Sequence, residues 1–209
     1  MSRNVRGIPR ALGIVGVFIA TLMFSSCLEL ETNLRLAKDG GVSADITYIF
    51  SENPAAFGRG FGSDEPWPLP LTEKDFRQQQ LRHPGVELKS YRRRTRRDGS
   101  EEIEIRLKSN DLETLASYLA MDIRLEGTVK NGVFIMEIPD MSSIADNTDA
   151  AREALEHVTD GMVFRFRFRP PSRPTESRNG IIDGRYASVD ISMQDLLAGE
   201  APAVWSVSW

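Results

Sequence analysis

Cysteine and histidine are nearly absent from this sequence: 209 residues contain one Cys and two His. A single thiol excludes a disulfide framework and a Cys-rich zinc site, and two imidazoles leave little material for a His-based metal centre. No cofactor is implied. A strong excess of one charge is also lacking, with 26 Lys+Arg against 30 Asp+Glu and a net charge of −4. An acidic chain has no global positive field to collect phosphates, so nucleic acid is not an expected partner. The 41% apolar content at so small a net charge argues against disorder throughout.

Acyl-transfer motifs are missing too, since there is no Gly-x-Ser-x-Gly elbow. His83 precedes Pro84 at a predicted helix end, and His157 sits near the end of another helix, where an imidazole suits the C-terminal dipole. Both read as structural. The pairs Glu101/Glu102 and Glu153/Glu156 read as solvated faces. The chain is therefore expected not to be an enzyme, and no catalytic residue or metal ligand is assigned.

A long hydrophobic run is the last absence. Ala11 to Ser26 is uncharged but only 16 residues long, short of the ~20 that cross a bilayer. Arg3, Arg6 and Arg10 precede it and small residues end it, the layout of a secretory signal over residues 1–26. Phe24-Ser25-Ser26-Cys27 resembles the lipobox of bacterial lipoproteins, with Phe24 where an aliphatic residue is usual. That resemblance implies cleavage before Cys27 and attachment of diacylglycerol and palmitate-type chains there. The alternative is an uncleaved anchor with an incidental Cys. Without Arg3, Arg6 and Arg10, residues 27–209 keep 23 basic against 30 acidic groups, a formal charge of −7. A domain of that length can bury a sizeable core without staples.

Leu28, Leu30, Leu34 and Leu36 alternate with polar residues, and Val42, Ala44, Ile46, Tyr48 and Phe50 repeat the period after Lys38-Asp39-Gly40-Gly41. This predicts a hairpin with one apolar face, starting directly after Cys27. Residues 51–70 are rich in Gly and Pro around Phe57, Phe61 and Trp67. They read either as an aromatic flap over a ligand site or as a packed surface loop. Thr72 caps a helix near 73–83 with Asp75 as its reciprocal partner. A second hairpin, 85–97 with 101–108, turns at Asp98-Gly99, and Ser109 or Asn110 caps a helix carrying Leu112, Leu115, Ala116 and Leu119 on one face. Ile123 and Leu125 pair across Asn131-Gly132 with Phe134, Met136 and Ile138. A third helix is predicted near 148–158. Met162, Phe164, Phe166 and Phe168 then define a strand with the phenylalanines in the core. One strand near 181–192, a short helix with Leu196 and Leu197, and a strand with Trp205, Val207 and Trp209 complete the order.

This order predicts an α+β domain over 27–209: a largely antiparallel sheet built from hairpins, with three or four short helices on one face. Two basic features stand out, Arg92, Arg94 and Arg96 in the second hairpin and Arg165, Arg167 and Arg169 on the phenylalanine strand. They read as contacts for anionic lipid head groups or as cross-strand ion pairs. A three-residue loop sets Arg96 and Arg94 against Glu102 and Glu104, a two-residue loop sets Arg93 against Glu104, and the register stays open.

Residues 28–209 also resemble the LppM-type domain of bacterial envelope lipoproteins. The resemblance is carried by Cys27-Leu28 opening into a strand, the Asp39-Gly40 turn, the phenylalanine strand, Asn179-Gly180 and the closing Trp205-x-Val207-x-Trp209. It implies an α+β envelope domain handling lipids or glycolipids, and it supplies no catalytic residues. The expected partners are thus the membrane through acylated Cys27, a lipid or glycolipid ligand, or a protein of an envelope complex. The expected place is the extracytoplasmic envelope, at the outer membrane or the periplasmic face. A surface-exposed interaction module is the alternative function.

Overall fold

The computed structural model describes residues 28–50, 71–142 and 159–209. The 1–26 leader, Cys27, the 51–70 segment with Phe57, Phe61 and Trp67, and the predicted 148–158 helix with His157 lie outside the described residues.

The predicted first hairpin is β1 (Leu28–Leu36) and β2 (Val42–Phe50), with Leu28 facing Phe50 and Leu36 facing Val42. Its loop is Lys38-Asp39-Gly40, closed by the Ala37 N–H donating to the Gly41 carbonyl at 2.8 Å. Gly40 takes the left-handed φ of 89° that a three-residue hairpin loop requires at its last position. Helix α1 (Glu73–Arg82) starts at the predicted capping box: Thr72 Oγ1 accepts from the Asp75 N–H, and the Asp75 carboxylate accepts from the Thr72 N–H.

The second hairpin is β3 (Val86–Thr95) with β4 (Glu101–Ser109). Its loop has three residues, one of the two lengths expected, but the residues that face each other differ from both expectations. The loop is Arg97-Asp98-Gly99, closed by the Arg96 N–H on the Ser100 carbonyl at 2.8 Å, so Arg94 faces Glu102 and Arg92 faces Glu104. The cause is local: the Asp98 carboxylate accepts from both the Ser100 N–H and hydroxyl, and Gly99 takes φ 88°. The same Asp-Gly chemistry therefore builds both turns.

Helix α2 (Leu112–Leu119) buries Leu112, Leu115, Ala116 and Tyr118, and its cap is Asp111 instead of Ser109 or Asn110. The Asp111 carboxylate accepts from the Thr114 N–H at 2.7 Å and the Thr114 hydroxyl at 2.9 Å, a double contact that the shorter Ser109 hydroxyl cannot make. Strands β5 (Ile123–Gly127) and β6 (Gly132–Glu137) pair as predicted. Then come β7 (Val163–Arg169), β8 (Glu176–Arg178), β9 (Ile181–Asp183), β10 (Tyr186–Ser192), helix α3 (Met193–Ala198) and β11 (Val204–Ser208). The single strand expected over 181–192 is in fact the β9–β10 hairpin. Gly184, at φ 60°, opens a two-residue loop between Asp183 and Tyr186, where continuous pairing would need an extended glycine.

Two sheets replace the one expected. The larger has the order β3-β4-β2-β1-β7-β10-β9, and the smaller has the order β5-β6-β11-β8. All the pairings are antiparallel except β1–β7, which is parallel. The core lies between the sheets. Phe134 of β6 stacks on Phe168 of β7 at 4.2 Å between ring centroids, with Trp205 edge-on to Phe134 and Trp209 tilted against Phe168. Both buried indoles are satisfied, Trp205 donating to Ser177 Oγ and Trp209 to the Val129 carbonyl. Phe164 and Phe166 pack against this core only half-buried, and Phe168 alone of the three phenylalanines is sealed inside. Helix α1 is tied to its neighbours by Tyr118 Oη donating to the Phe76 carbonyl and Tyr91 Oη donating to the Leu71 carbonyl. Burial pushes the Tyr118 hydroxyl up to about 12.

Candidate functional site: arginines on the outer sheet face

Residues that face one another across a sheet point to the same side, so the register maps the surface opposite the core. One row crosses it as Arg92, Glu104, Thr47, Glu31, Arg165 and Asp190. A second runs Arg94, Glu102, Ile49, Glu29 and Val163. A third runs Ser90, Arg106, Asp45, Asn33, Arg167, Ser188 and Ile181. A fourth contains Lys108, Ser43, Arg35 and Arg169. Of the six arginines singled out from the sequence, Arg92, Arg94, Arg165, Arg167 and Arg169 belong to one sheet and to this one polar face. Arg96 is at the hairpin loop.

The rows also separate them into two ends. Leu28, Phe50, Glu101 and Thr95 mark one end of the sheet. The 96–100 turn projects beyond that end, on the side from which the chain enters β1. Arg169 and Arg35 lie seven residues further along β1, about 23 Å away.

At the first end the arginines are ion-paired. Glu104, Arg94, Glu102 and Arg96 form a chain of alternating charge with N–O distances of 3.2, 2.6 and 3.3 Å, and Arg92 stands 3.9 Å from Glu104. Arg93, on the opposite side of β3, holds Glu101 at 2.5 Å. Glu102 is 6% exposed, and the hydrogen bond from Arg94 draws its carboxyl below the ordinary range against the opposing pull of burial.

At the other end Arg165 pairs with Asp190 at 3.2 Å. Arg167 and Arg169 instead lie over the ring of Tyr186, at 4.9 and 5.5 Å from its centroid. Arg35 and Tyr186 were not legible as site residues, because each sits on the polar phase of its own strand with nothing local to mark it. Only the parallel β1–β7 pairing brings Arg35 beside Arg169. An open depression of about 790 Å³ adjoins this end, lined by Arg165, Arg167, Tyr186, Ser188, Asn179 and Ile181 among others.

Between the sheets the Phe134 and Phe168 rings are in direct stacking contact. His83 is the C-cap residue of α1 and packs edge-on against Tyr118. Among the described residues, no group of three or more His, Cys, Asp or Glu is arranged to hold a metal ion. No helix among them is long and apolar enough to cross a membrane.

The described residues thus define a two-sheet α+β domain with a polar, arginine-bearing outer face. No family model matches the sequence, and no curated protein does. Among solved structures, the NMR structure of the folded domain of LppM from Mycobacterium tuberculosis is similar to this chain, with a TM-score of 0.45 and 12% sequence identity. The match covers 87% of this chain and 88% of that one.

Proposed function

We propose that this chain is a non-enzymatic, lipid-anchored protein of the bacterial cell envelope that binds a lipid or glycolipid of that envelope. Acylated Cys27 is its anchor, after loss of residues 1–26. The observation that carries the reading is the position of Leu28. It belongs to β1 and is 2% exposed, so an acyl chain on the preceding Cys27 holds that end of the large sheet close to the membrane. The β3–β4 turn extends from that same end, three strands from β1 and so about 14 Å to the side. Its arginines meet head groups there, and Arg97, with no ion pair among the described residues, is the free charge at the tip.

The test is to purify the unacylated 28–209 protein from a bacterial envelope extract, extract it with organic solvent and analyse the extract by mass spectrometry. A defined envelope lipid that co-purifies and rebinds in titration supports the reading. If no lipid co-purifies and none binds, lipid binding is discarded and the interaction-module alternative takes its place, to be pursued by cross-linking.

A further inference from the structure

Arg35, Arg167 and Arg169 are neighbours on the outer face, and none of them is ion-paired among the described residues. Arg35 and Arg169 occupy facing positions of the parallel β1–β7 pair, and Arg167 lies two residues from Arg169 on the same side. Every other arginine of the four rows has a carboxylate: Arg92 has Glu104, Arg94 has Glu102, Arg106 has Asp45 and Arg165 has Asp190. Like charges on facing positions repel, yet the fourth row adds beside them only Ser43 and Lys108 before it reaches Glu87 on β3, which is paired with Lys89. The acids nearby are engaged elsewhere or stand apart. Asp45 is held by Arg106, Glu31 accepts from Asn33, and Asp183 faces Tyr186 from β9 without an ion pair to either arginine. The Tyr186 ring meanwhile meets both the Arg167 and the Arg169 guanidinium groups, 4.9 and 5.5 Å from its centroid.

We infer that Arg35, Arg167, Arg169 and Tyr186 form a binding site for the phosphate group of an amphiphilic molecule. Three guanidinium groups offer forked donors that match phosphate oxygens, and the tetrahedral anion can bridge several forks at once. An apolar portion has a place beside it. Ile181 is 69% exposed, stands in one row with Ser188 and Arg167, and lines the 790 Å³ depression together with Tyr186. The site lies about 23 Å along β1 from Leu28, so it takes its ligand away from the anchored end. It deepens the proposed function and rests on it for the ligand's origin in the envelope. The phosphate chemistry stands on the geometry alone.

The full chain in a non-ionic detergent is titrated calorimetrically with dihexanoyl phosphatidic acid below its micellar concentration, and separately with inorganic phosphate. Saturable binding of the short-chain lipid is expected, weakened about tenfold or more by Arg169→Gln and by Arg35→Gln. Arg106→Gln, whose guanidinium belongs to Asp45 and which lies outside the depression, is expected to leave it within about twofold, and Ile181→Ser to weaken the lipid but not inorganic phosphate. Unchanged melting temperatures establish that the variants are folded. Absence of saturable binding, or equal weakening by Arg106→Gln, overturns the site. Inorganic phosphate binding as tightly as the lipid overturns the amphiphile and identifies free phosphate as the source. If the short-chain lipid binds as described while no envelope lipid co-purifies, the site stands and the proposed function fails.

Discussion

Phe134 and Phe168 come from different sheets and stack with their ring planes 19° apart, both rings sealed from solvent. This pair is the seam between the two layers, with Trp205 and Trp209 packed around it. Phe168→Ala should therefore destabilise the domain by about 3–5 kcal/mol, the usual result of emptying an aromatic site in a close-packed core. Phe166→Ala, two residues away and half-buried, should have a clearly smaller effect. The midpoints of urea unfolding curves compare the two.

Gly180 follows Asn179, which sits at a left-handed φ of 59°. A methyl group on Gly180 would collide with the Trp205 indole nitrogen and come within 2.6 Å of the Ser188 carbonyl oxygen. Neither can move freely, since the indole donates to Ser177 Oγ at 3.1 Å and the carbonyl belongs to β10. Gly180→Ala should lower the melting temperature and shift the emission of a newly solvated Trp205 to longer wavelength. An unchanged melting curve would show that this corner has slack.

Acid should weaken the second hairpin, and the sign follows from Glu102. Hydrogen bonding from Arg94 holds its folded carboxyl below the ordinary value of 4.5, so the unfolded chain takes up the proton first as pH falls. The stabilisation is complete above about 4.5, declines as pH falls from there, and is lost once pH passes below the folded value. Asp98, held down by the Ser100 hydroxyl, acts in the same direction in the same turn. Glu102→Gln should flatten the acid limb of the stability profile, measured by thermal melts between pH 6 and pH 3, both about the ordinary carboxylate range. High salt should reduce the difference between the two proteins at pH 6, since the arginines are exposed.

The two ends of the outer face should behave differently toward a membrane. Arg97→Glu, at the hairpin tip, should weaken flotation of the unacylated 28–209 protein with phosphatidylglycerol vesicles by about fivefold or more, and salt should suppress the binding. Arg106→Gln, on the same face but in the third row, should have little effect. Equal losses in both variants would argue that the whole face, and not the hairpin end, meets the bilayer.

Local chemistry explains which features could be read from the sequence. Period-two alternation marked β1, β2, β6, β7 and β11, and the Thr72/Asp75 box marked the start of α1, because each signal is complete within a few residues. The α+β class followed from their order. The β6–β11 pairing of the second sheet and the parallel β1–β7 contact could not be read the same way, since they join segments 67 to 75 and 134 residues apart. The register of the 96–100 turn depended on whether Asp98 would cap Ser100, a choice between turns of nearly equal local merit. The arginines of β7 were visible as an alternating strand. Their separation into an ion-paired Arg165 and an unpaired Arg167/Arg169 set depended on Asp190 and Tyr186 of β10, and on Arg35 of β1.

Mass spectrometry of the tryptic peptide Cys27–Arg35 from the membrane fraction of the producing bacterium determines the chemical state of Cys27. The prediction is a peptide that begins at Cys27 and carries the added mass of a diacylglyceryl thioether. Recovery of Cys27 unmodified, still joined to Ser26, would contradict it.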